Sequence, residues 1–230
     1  MERIKAGELD TYKALEKFVS IQTGRGLAPK TVRYYLYAVT AFLQHEAITL
    51  DKQHVPISKA IWLISPRITA LVNTLDERGE LNSSPYSWVY PLSATPPLVG
   101  VGIGGKHKLS YINSKRTNEF VVCIVSEGFG QQAVNCEETR KPGDKLWEKQ
   151  GLHAEKSRMV SVPRIKESRA VLECRVRRFI ELDGDHLVLV GEVVHAEGDG
   201  LGVNGIRPLL HDADEKFRAV GTEIILQRRR

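Results

Sequence analysis

Apolar positions along this chain follow two periods, and the change between them falls near residue 60. Over residues 9–46 the spacing is helical: Tyr12, Leu15, Phe18 and Val19 share a face, and after the glycine break at 24–26 so do Val32, Tyr35, Leu36, Val39, Phe42 and Leu43. Pro29 suits the first turn of the second helix, so the pattern predicts a helical hairpin. Residues 54–66 read as a connection. From Arg67 the period falls to two, with Ile68, Ala70 and Val72 alternating before Asp76, Glu77, Arg78 and Gly79 turn the chain toward Leu81. Residues 120–125 form a continuous apolar run between breakers, as in a strand buried on both faces. Residues 131–151 are helical again around a break at Lys141, Pro142, Gly143 and Asp144, with Asp144 placed to cap a short helix, Lys145 in its first turn and Gly151 at its end. Residues 169–197 predict a hairpin about Asp183 and Gly184. Its expected inner face is Ala170, Leu172, Cys174, Val176, Ile180 and Leu182, and its expected wet face Glu173, Arg175, Arg177 and Glu181.

The stretch 82–120 concentrates the unusual chemistry: a polar turn, a proline corner, a strand with glycine at alternate positions, and a basic loop that opens a short helix. Val99, Val101 and Ile103 alternate with Gly100, Gly102 and Gly104, so one face of that strand is apolar and the other bare. A bare face belongs either to a strongly bent barrel strand or to a surface against which a ring or a second chain lies. Next come Lys106, His107 and Lys108, then Ser110, placed to cap a helix over 111–118. Cation, hydroxyl and helix N-terminus together make an anion site, or else an ordinary capped helix with a solvated loop. The order suits a flat phosphorylated ligand. Gly100, Gly102 and Gly105 satisfy the letters GxGxxG, but the first two lie inside the strand and no βαβ alternation surrounds them, which argues against a doubly wound dinucleotide fold.

Composition narrows this picture only a little. The 230 residues suffice for one full domain and an appendage, and 42% hydrophobic with 27% charged residues is ordinary for a soluble globular chain. The net charge of +5 owes part of its excess to Arg228, Arg229 and Arg230 and does not demand a nucleic-acid partner. No stretch has the length and apolarity of a membrane span and the start lacks a signal pattern, so a cytoplasmic protein without membrane contact is expected. Cys123, Cys136 and Cys174 have no CxxC spacing and are expected as buried, reduced thiols.

Two resemblances add to these readings. The stretch FVSIQTGRGLAPKTVRYYLYAVTAFLQHEAI resembles the N-terminal helical DNA-clamping domain of tyrosine recombinases over about forty residues. That would imply phosphate contacts through Lys30 and Arg33. The family's catalytic domain has no counterpart after residue 60, and residues 1–53 are taken as a helical appendage with nucleic acid not expected as a partner. The second resemblance covers about residues 55–220, nearly the whole of a main domain expected at 54–230. ITALVNTLDERGELN, NSSPYSW, PLSATPPLVGVGI, SYINSKRTNEFVV, DKLWEKQGL, ESRAVLECRV, GDHLVLVGEVV and RPLLH follow, in order, the pattern of the flavin reductase-like, FMN-binding split-barrel family, near its flavoredoxin branch.

Membership would imply a mainly β fold, a six-stranded antiparallel Greek-key split barrel with peripheral helices, assembled as a homodimer with FMN near the dimer interface. Carried over position by position, Asn82, Ser83, Ser84, Ser87 and Trp88 would line the isoalloxazine ring. Ser110, at the family's usual threonine, would meet the phosphate with Lys108 nearby, and Lys145, His186 and Phe217 would approach the cofactor. Hydroxyls and backbone amides suit the polar edge of such a ring, and an indole offers stacking area. The resemblance implies an oxidoreductase in which hydride from NADH or NADPH reaches bound FMN and passes to free flavin or a protein acceptor, with no protein general base expected. The rival functions are a non-enzymatic FMN-binding electron carrier and a DNA-binding module fused to a degenerate barrel.

Overall fold

A computed structural model describes residues 53–137, 144–200 and 203–221. The chain divides into two units between Ile57 and Ser58, and nearly all described residues belong to the second. The expected helical hairpin, the recombinase-like stretch, the break at 141–143 and the arginine tail lie outside the described residues.

A 3-10 helix, Ile57–Leu63, leads into β1 (Arg67–Ile68), β2 (Ala70–Leu75), β3 (Leu81–Tyr86), β4 (Val89–Ala94) and β5 (Pro97–Ile103). Helix α1 (Leu109–Thr117) precedes β6 (Glu119–Ile124), and then come α2 (Gly130–Asn135), α3 (Leu146–Lys149), β7 (Ala154–Glu155) and β8 (Arg164–Ile165). The long hairpin β9 (Ala170–Glu181) and β10 (Leu187–Gly198) is followed by α4 (Val203–Ile206), β11 (Leu210–Ala213) and β12 (Lys216–Arg218). The main sheet is antiparallel throughout, in the order β3-β2-β6-β9-β10-β5-β4. This is the mainly β, split-barrel architecture expected, with seven strands in its principal sheet.

The sheet is covered on both sides at its centre. Successive strand residues project oppositely, so β2 and β6 feed two apolar clusters at once. One gathers Leu71, Val121, Cys123 and Val171 with Phe129, Leu152, Val162 and Ile165. The other gathers Ala70, Val72, Phe120 and Val122 with Val99, Val101, Ile103, Leu189 and Tyr111. The double burial expected of 120–125 is therefore present. It extends to β2, where Leu71 is as buried as Ala70 and Val72, so the alternation expected there has no wet side.

Three local expectations change. The polar turn expected at 82–84 is strand β3, paired with β2 as Asn82↔Thr74, Ser83↔Asn73 and Ser84↔Val72. The turn lies earlier, where the buried Asp76 carboxylate accepts the N–H groups of Arg78 at 2.9 Å and Glu80 at 2.8 Å, and Gly79 supplies φ of 78°. The proline corner is strand β4 on the edge of the sheet, the one place where Pro91 removes no needed ladder donor. In the β9–β10 hairpin the register skips Arg177, since Arg178 pairs Val190 while Val176 pairs Gly191. This bulge inverts the parity beyond it. Phe179 turns inward against Tyr111, with ring centroids 4.9 Å apart, while Ile180 and Leu182 are 41% and 54% exposed. On the face expected to be wet, Glu173 is fully buried, because the segment carrying Leu152, Val162 and Ile165 packs over Val171 beside it. Its carboxylate accepts the N–H groups of Arg158 at 2.9 Å and Met159 at 2.6 Å.

The three cysteines are free and buried, as expected. Burial pushes the Cys123 thiol up to about 12 and raises Cys174 as well.

Two stability outcomes follow from these contacts. Burial raises the Asp76 pKa, but the N–H groups of Glu80 and Arg78 and the Arg78 guanidinium outweigh it and hold the carboxyl below 3.8. A carboxylate lowered on folding contributes fully above its unfolded pKa and loses that contribution as pH falls through the lowered value. Asp76→Ala is expected to cost about 1–3 kcal/mol in urea unfolding at pH 7, with the gap from the unmodified protein narrowing below pH 3.8. Gly191 lies against Phe120, where a methyl group would overlap the ring. Gly191→Ala is expected to lower stability by about 1–3 kcal/mol in the same measurement.

Candidate functional site

The ten residues singled out from the sequence fall into four places, and strand parity decides the division. Asn82 and Ser84 share one face of β3 with Thr74, while Ser83 faces the opposite cluster beside Asn73. On the first face Asn82 Nδ2 and Asn113 Nδ2 both donate to Thr74 Oγ1 at 3.2 Å, which ties the β2–β3 hairpin to α1. Asn82 Nδ2 also lies 3.4 Å from Ser84 Oγ. The buried face of α1 is Ser110, Tyr111, Asn113 and Ser114, largely small and polar, so this helix docks through hydrogen bonds as much as through apolar area.

Ser110 does not cap that helix. Lys108 holds the N-cap position with φ of −69° and ψ of 136°, and no side chain caps the turn. Ser110 sits inside the first turn, 1% exposed, with its Oγ lacking any hydrogen-bond partner. Ser83 Oγ is buried without a partner as well. A buried hydroxyl left unpaired costs about 1–3 kcal/mol, and beside a helix N-terminus, where N–H groups project without intrahelical acceptors, it suits a ligand with oxygen acceptors. Lys108 is exposed, and while its backbone is hydrogen-bonded to Gly105, Tyr111 and Ile112, its ammonium has no ion-pair partner among the described residues. The free cation, the orphaned hydroxyl and the helix end fit a phosphate.

The glycine-bearing face of β5 is occupied by the chain itself. A Cβ at Gly100 would meet the Tyr90 ring at 2.7 Å, and one at Gly102 would meet Trp88 at 2.9 Å. The missing side chains make room for β4, so the bare face is not open to a ligand ring. Trp88 lies over Gly102 and stacks on His186, with centroids 4.3 Å and planes 22° apart. Gly104 brings the two sides together, because a Cβ there would stand 3.6 Å from His186 Nε2 and 3.8 Å from Lys108 Cε. Trp88, His186 and Lys108 thus form one group. The Asp185 carboxylate accepts a hydrogen bond from His186 Nδ1 at 2.7 Å, and that imidazole holds the Asp185 carboxyl below its ordinary range.

Ser87 and Phe217 belong to a third place, a cavity of about 890 Å³ where β3 ends. His211, on β11, binds them together. Its Nδ1 lies 2.9 Å from Ser87 Oγ, its Nε2 lies 3.0 Å from the Asp214 carbonyl, and its ring stacks on Phe217 at 4.8 Å. The sequence offered only a short unpatterned PLLH stretch at this point, so His211 and its wall partner Trp62 had no periodic signal to reveal them. Lys145 stands in a fourth place. It is the N-cap of α3 and pairs with Glu80 at 3.0 Å, which raises its pKa. Trp147 of the same helix donates its indole N–H to the Leu81 carbonyl at 3.1 Å and so docks Lys145 beside the start of β3.

The family described as "Flavin reductase like domain" matches residues 64–221. An uncharacterized protein of Halalkalibacterium halodurans, BH2278, is 32% identical over 185 residues, covering 73% of this chain and 88% of its own length. Nitrilotriacetate monooxygenase component B from Bacillus cereus superposes with a TM-score of 0.68 at 25% identity, over 77% of this chain and 98% of that one. Flavoredoxin from Methanosarcina acetivorans shares the fold, with a TM-score of 0.66 at 22% identity over 77% of this chain and 95% of its own.

The Trp88–His186 stack depends on the empty Cβ position at Gly102. Gly102→Ala is expected to displace the indole and change the Trp88 near-ultraviolet circular dichroism in the same sense as His186→Ala. An unchanged spectrum in Gly102→Ala would show that the indole does not rest on that glycine.

Proposed function

Because this chain belongs to the flavin reductase-like family, we propose that it is a flavoprotein oxidoreductase that holds FMN along β3. The phosphate is held by Lys108, Ser110 and the N-terminal turn of α1. The isoalloxazine ring is received by the serine-rich strand, through Asn82, Ser83, Ser84, Ser87 and Trp88, using backbone amides where a side chain faces away. Lys145, His186 and Phe217 flank it. The observation that carries this reading is the partnerless buried hydroxyl of Ser110 in the first turn of a nine-residue helix, next to an uncompensated lysine.

When bound, FMN supplies the two-electron chemistry by which hydride from NADH or NADPH is passed on to free flavin or a protein acceptor. The chain's own work is to bind, orient and exclude water. Trp88 and His186 present a flat stacked surface beside the Lys108 cation, and buried β3 hydroxyls offer donors and acceptors that water does not reach. A homodimer is part of this reading. It is supported by the edge strand β4, whose Tyr90 and Leu92 are 37% and 45% exposed. Among the described residues no helix is long and apolar enough to cross a membrane, and the free thiols accord with work in a reducing, cytoplasmic setting.

The test is direct. The purified protein is expected to be yellow, or to become so on addition of FMN, and to release FMN on denaturation. Ser110→Val is expected to weaken FMN binding about tenfold, the loss of one charge-assisted hydrogen bond, with little change in thermal stability of the FMN-free protein. A folded protein that stays colourless in excess FMN would overturn the proposal. Steady-state oxidation of NADH or NADPH with added flavin separates the reductase from an FMN-binding electron carrier, which would bind FMN and show no turnover.

A further inference from the structure

The segment that covers Cys123 is built as a closed loop. Its two ends pair with each other through β7 and β8, Ala154 with Ile165 and Glu155 with Arg164. Lys166 N donates to the His153 carbonyl at 2.8 Å. The Glu167 carboxylate meets the backbone N–H of His153 at 3.1 Å and its Nδ1 at 2.6 Å. Inside the loop the Ser157 hydroxyl donates to the Val162 carbonyl at 2.6 Å. A loop of about a dozen residues whose neck is tied by its own hydrogen bonds can move as a body without losing its shape.

That body is held to the sheet by carboxylates. Glu119, Glu173 and Glu197 stand on the neighbouring strands β6, β9 and β10. Glu119 accepts the Ser161 N–H at 2.7 Å and the Ser161 hydroxyl at 2.5 Å. The fully buried Glu173 accepts the N–H groups of Arg158 and Met159. Glu197 pairs with the guanidinium groups of Arg158 and Arg164, and Arg164 reaches on to Glu155 at 2.9 Å. The charged residues facing these latches from the sheet are His195, which lies across from Glu173 and 3.1 Å from Glu197, and Arg175, which lies across from Glu119. The buried apolar side chains of the loop are Val160, Val162 and Ile165.

Hydrogen bonds to an ionised carboxylate are charge-assisted, so each latch weakens when its carboxylate takes up a proton. The His195 imidazole, followed by the Arg164 and Arg158 guanidinium groups, holds the Glu197 carboxyl below its ordinary range. A carboxylate lowered on folding contributes above its unfolded pKa and loses that contribution as pH falls through the lowered value. The latch is therefore set at neutral pH and yields in acid. Two groups lie directly beneath the loop. Asn73 Nδ2 donates to the Pro163 carbonyl at 2.8 Å, and Ile165 N meets Cys123 Sγ at 3.4 Å. Cys174 belongs to the opposite apolar cluster, so one thiol lies under the loop and another on the far side of the sheet.

We propose that residues 153–167 form a carboxylate-latched strap that lifts from the sheet as one unit, uncovering Cys123 while the sheet stays folded. A segment with few buried apolar side chains opens at lower free energy than the whole domain unfolds. The strap covers the side of β2 and β6 opposite α1, so it stands independently of the flavin reading.

Thiol labelling of the full-length protein with 4,4′-dithiodipyridine at pH 7, each cysteine resolved by peptide mass, tests this. A buried thiol reacts only through an opening, so its rate measures how often that opening occurs. Cys123 is expected to label about tenfold faster than Cys174. Exchanging glutamate for glutamine reproduces protonation without acid. E173Q is expected to speed Cys123 about tenfold and E119Q about threefold, both leaving Cys174 unchanged. Hydrogen exchange read by mass spectrometry is expected to show the amides of Arg158, Met159, Ser161 and Ile165 accelerated by one common factor in E119Q. Equal labelling of Cys123 and Cys174 in the unmodified protein overturns the proposal, as does an E119Q variant whose Cys123 rate is unchanged. Should E173Q fail to fold, E119Q decides alone, because Glu119 is partly exposed at the start of its strand.

Discussion

The central constraint is the burial of β2 and β6 on both faces. Ala70, Leu71, Val72, Phe120, Val121, Val122 and Cys123 are all at 0% exposure, which no single layer of cover could achieve. The fold must therefore lay something on each side of these strands: α1 with the β5 and β10 residues on one, and α2 with the 152–165 segment on the other. Burial of apolar area at about 25 cal/mol per Å² makes this double cover the main source of stability. Everything at the candidate site inherits its position from it.

β3 is the strand on which the consequence is visible. It hangs on the edge of the doubly covered pair, so its residues divide by parity between the two layers. Asn82 and Ser84 reach α1 through Thr74, while Ser83 turns toward the second layer. From Asn82 to Ser87 the extended backbone spans about 17 Å. One strand thereby runs from the hydrogen bonds that dock α1 to the cavity lined by Pro85, Tyr86 and Ser87.

Glycine's part in this arrangement is steric. Gly100 and Gly102 leave the space that Tyr90 and Trp88 fill, and Gly191 leaves the space for the Phe120 ring. Their absence of side chains brings β4 close enough for Trp88 to stack on His186. The stack is built from a residue before β4 and one just before β10, which β5 joins as the shared neighbour of both strands.

The sequence alone determined the class of the fold, the β9–β10 hairpin, the buried run of β6 and the reduced thiols. Each of these depends on a local pattern or on a set of motifs in a fixed order. Tertiary structure decided the rest. The strand nature of 82–84 depends on pairing with β2, because polar residues cannot by themselves distinguish a turn from a hydrogen-bonded edge. The burial of Glu173 depends on a segment that arrives from elsewhere in the chain, and the inward turn of Phe179 on a single bulge at Arg177 that no period reveals. His211 met Ser87 across 124 positions of sequence. Such a contact has no local signature, since it is made by the closure of the fold and not by the residues on either side of it.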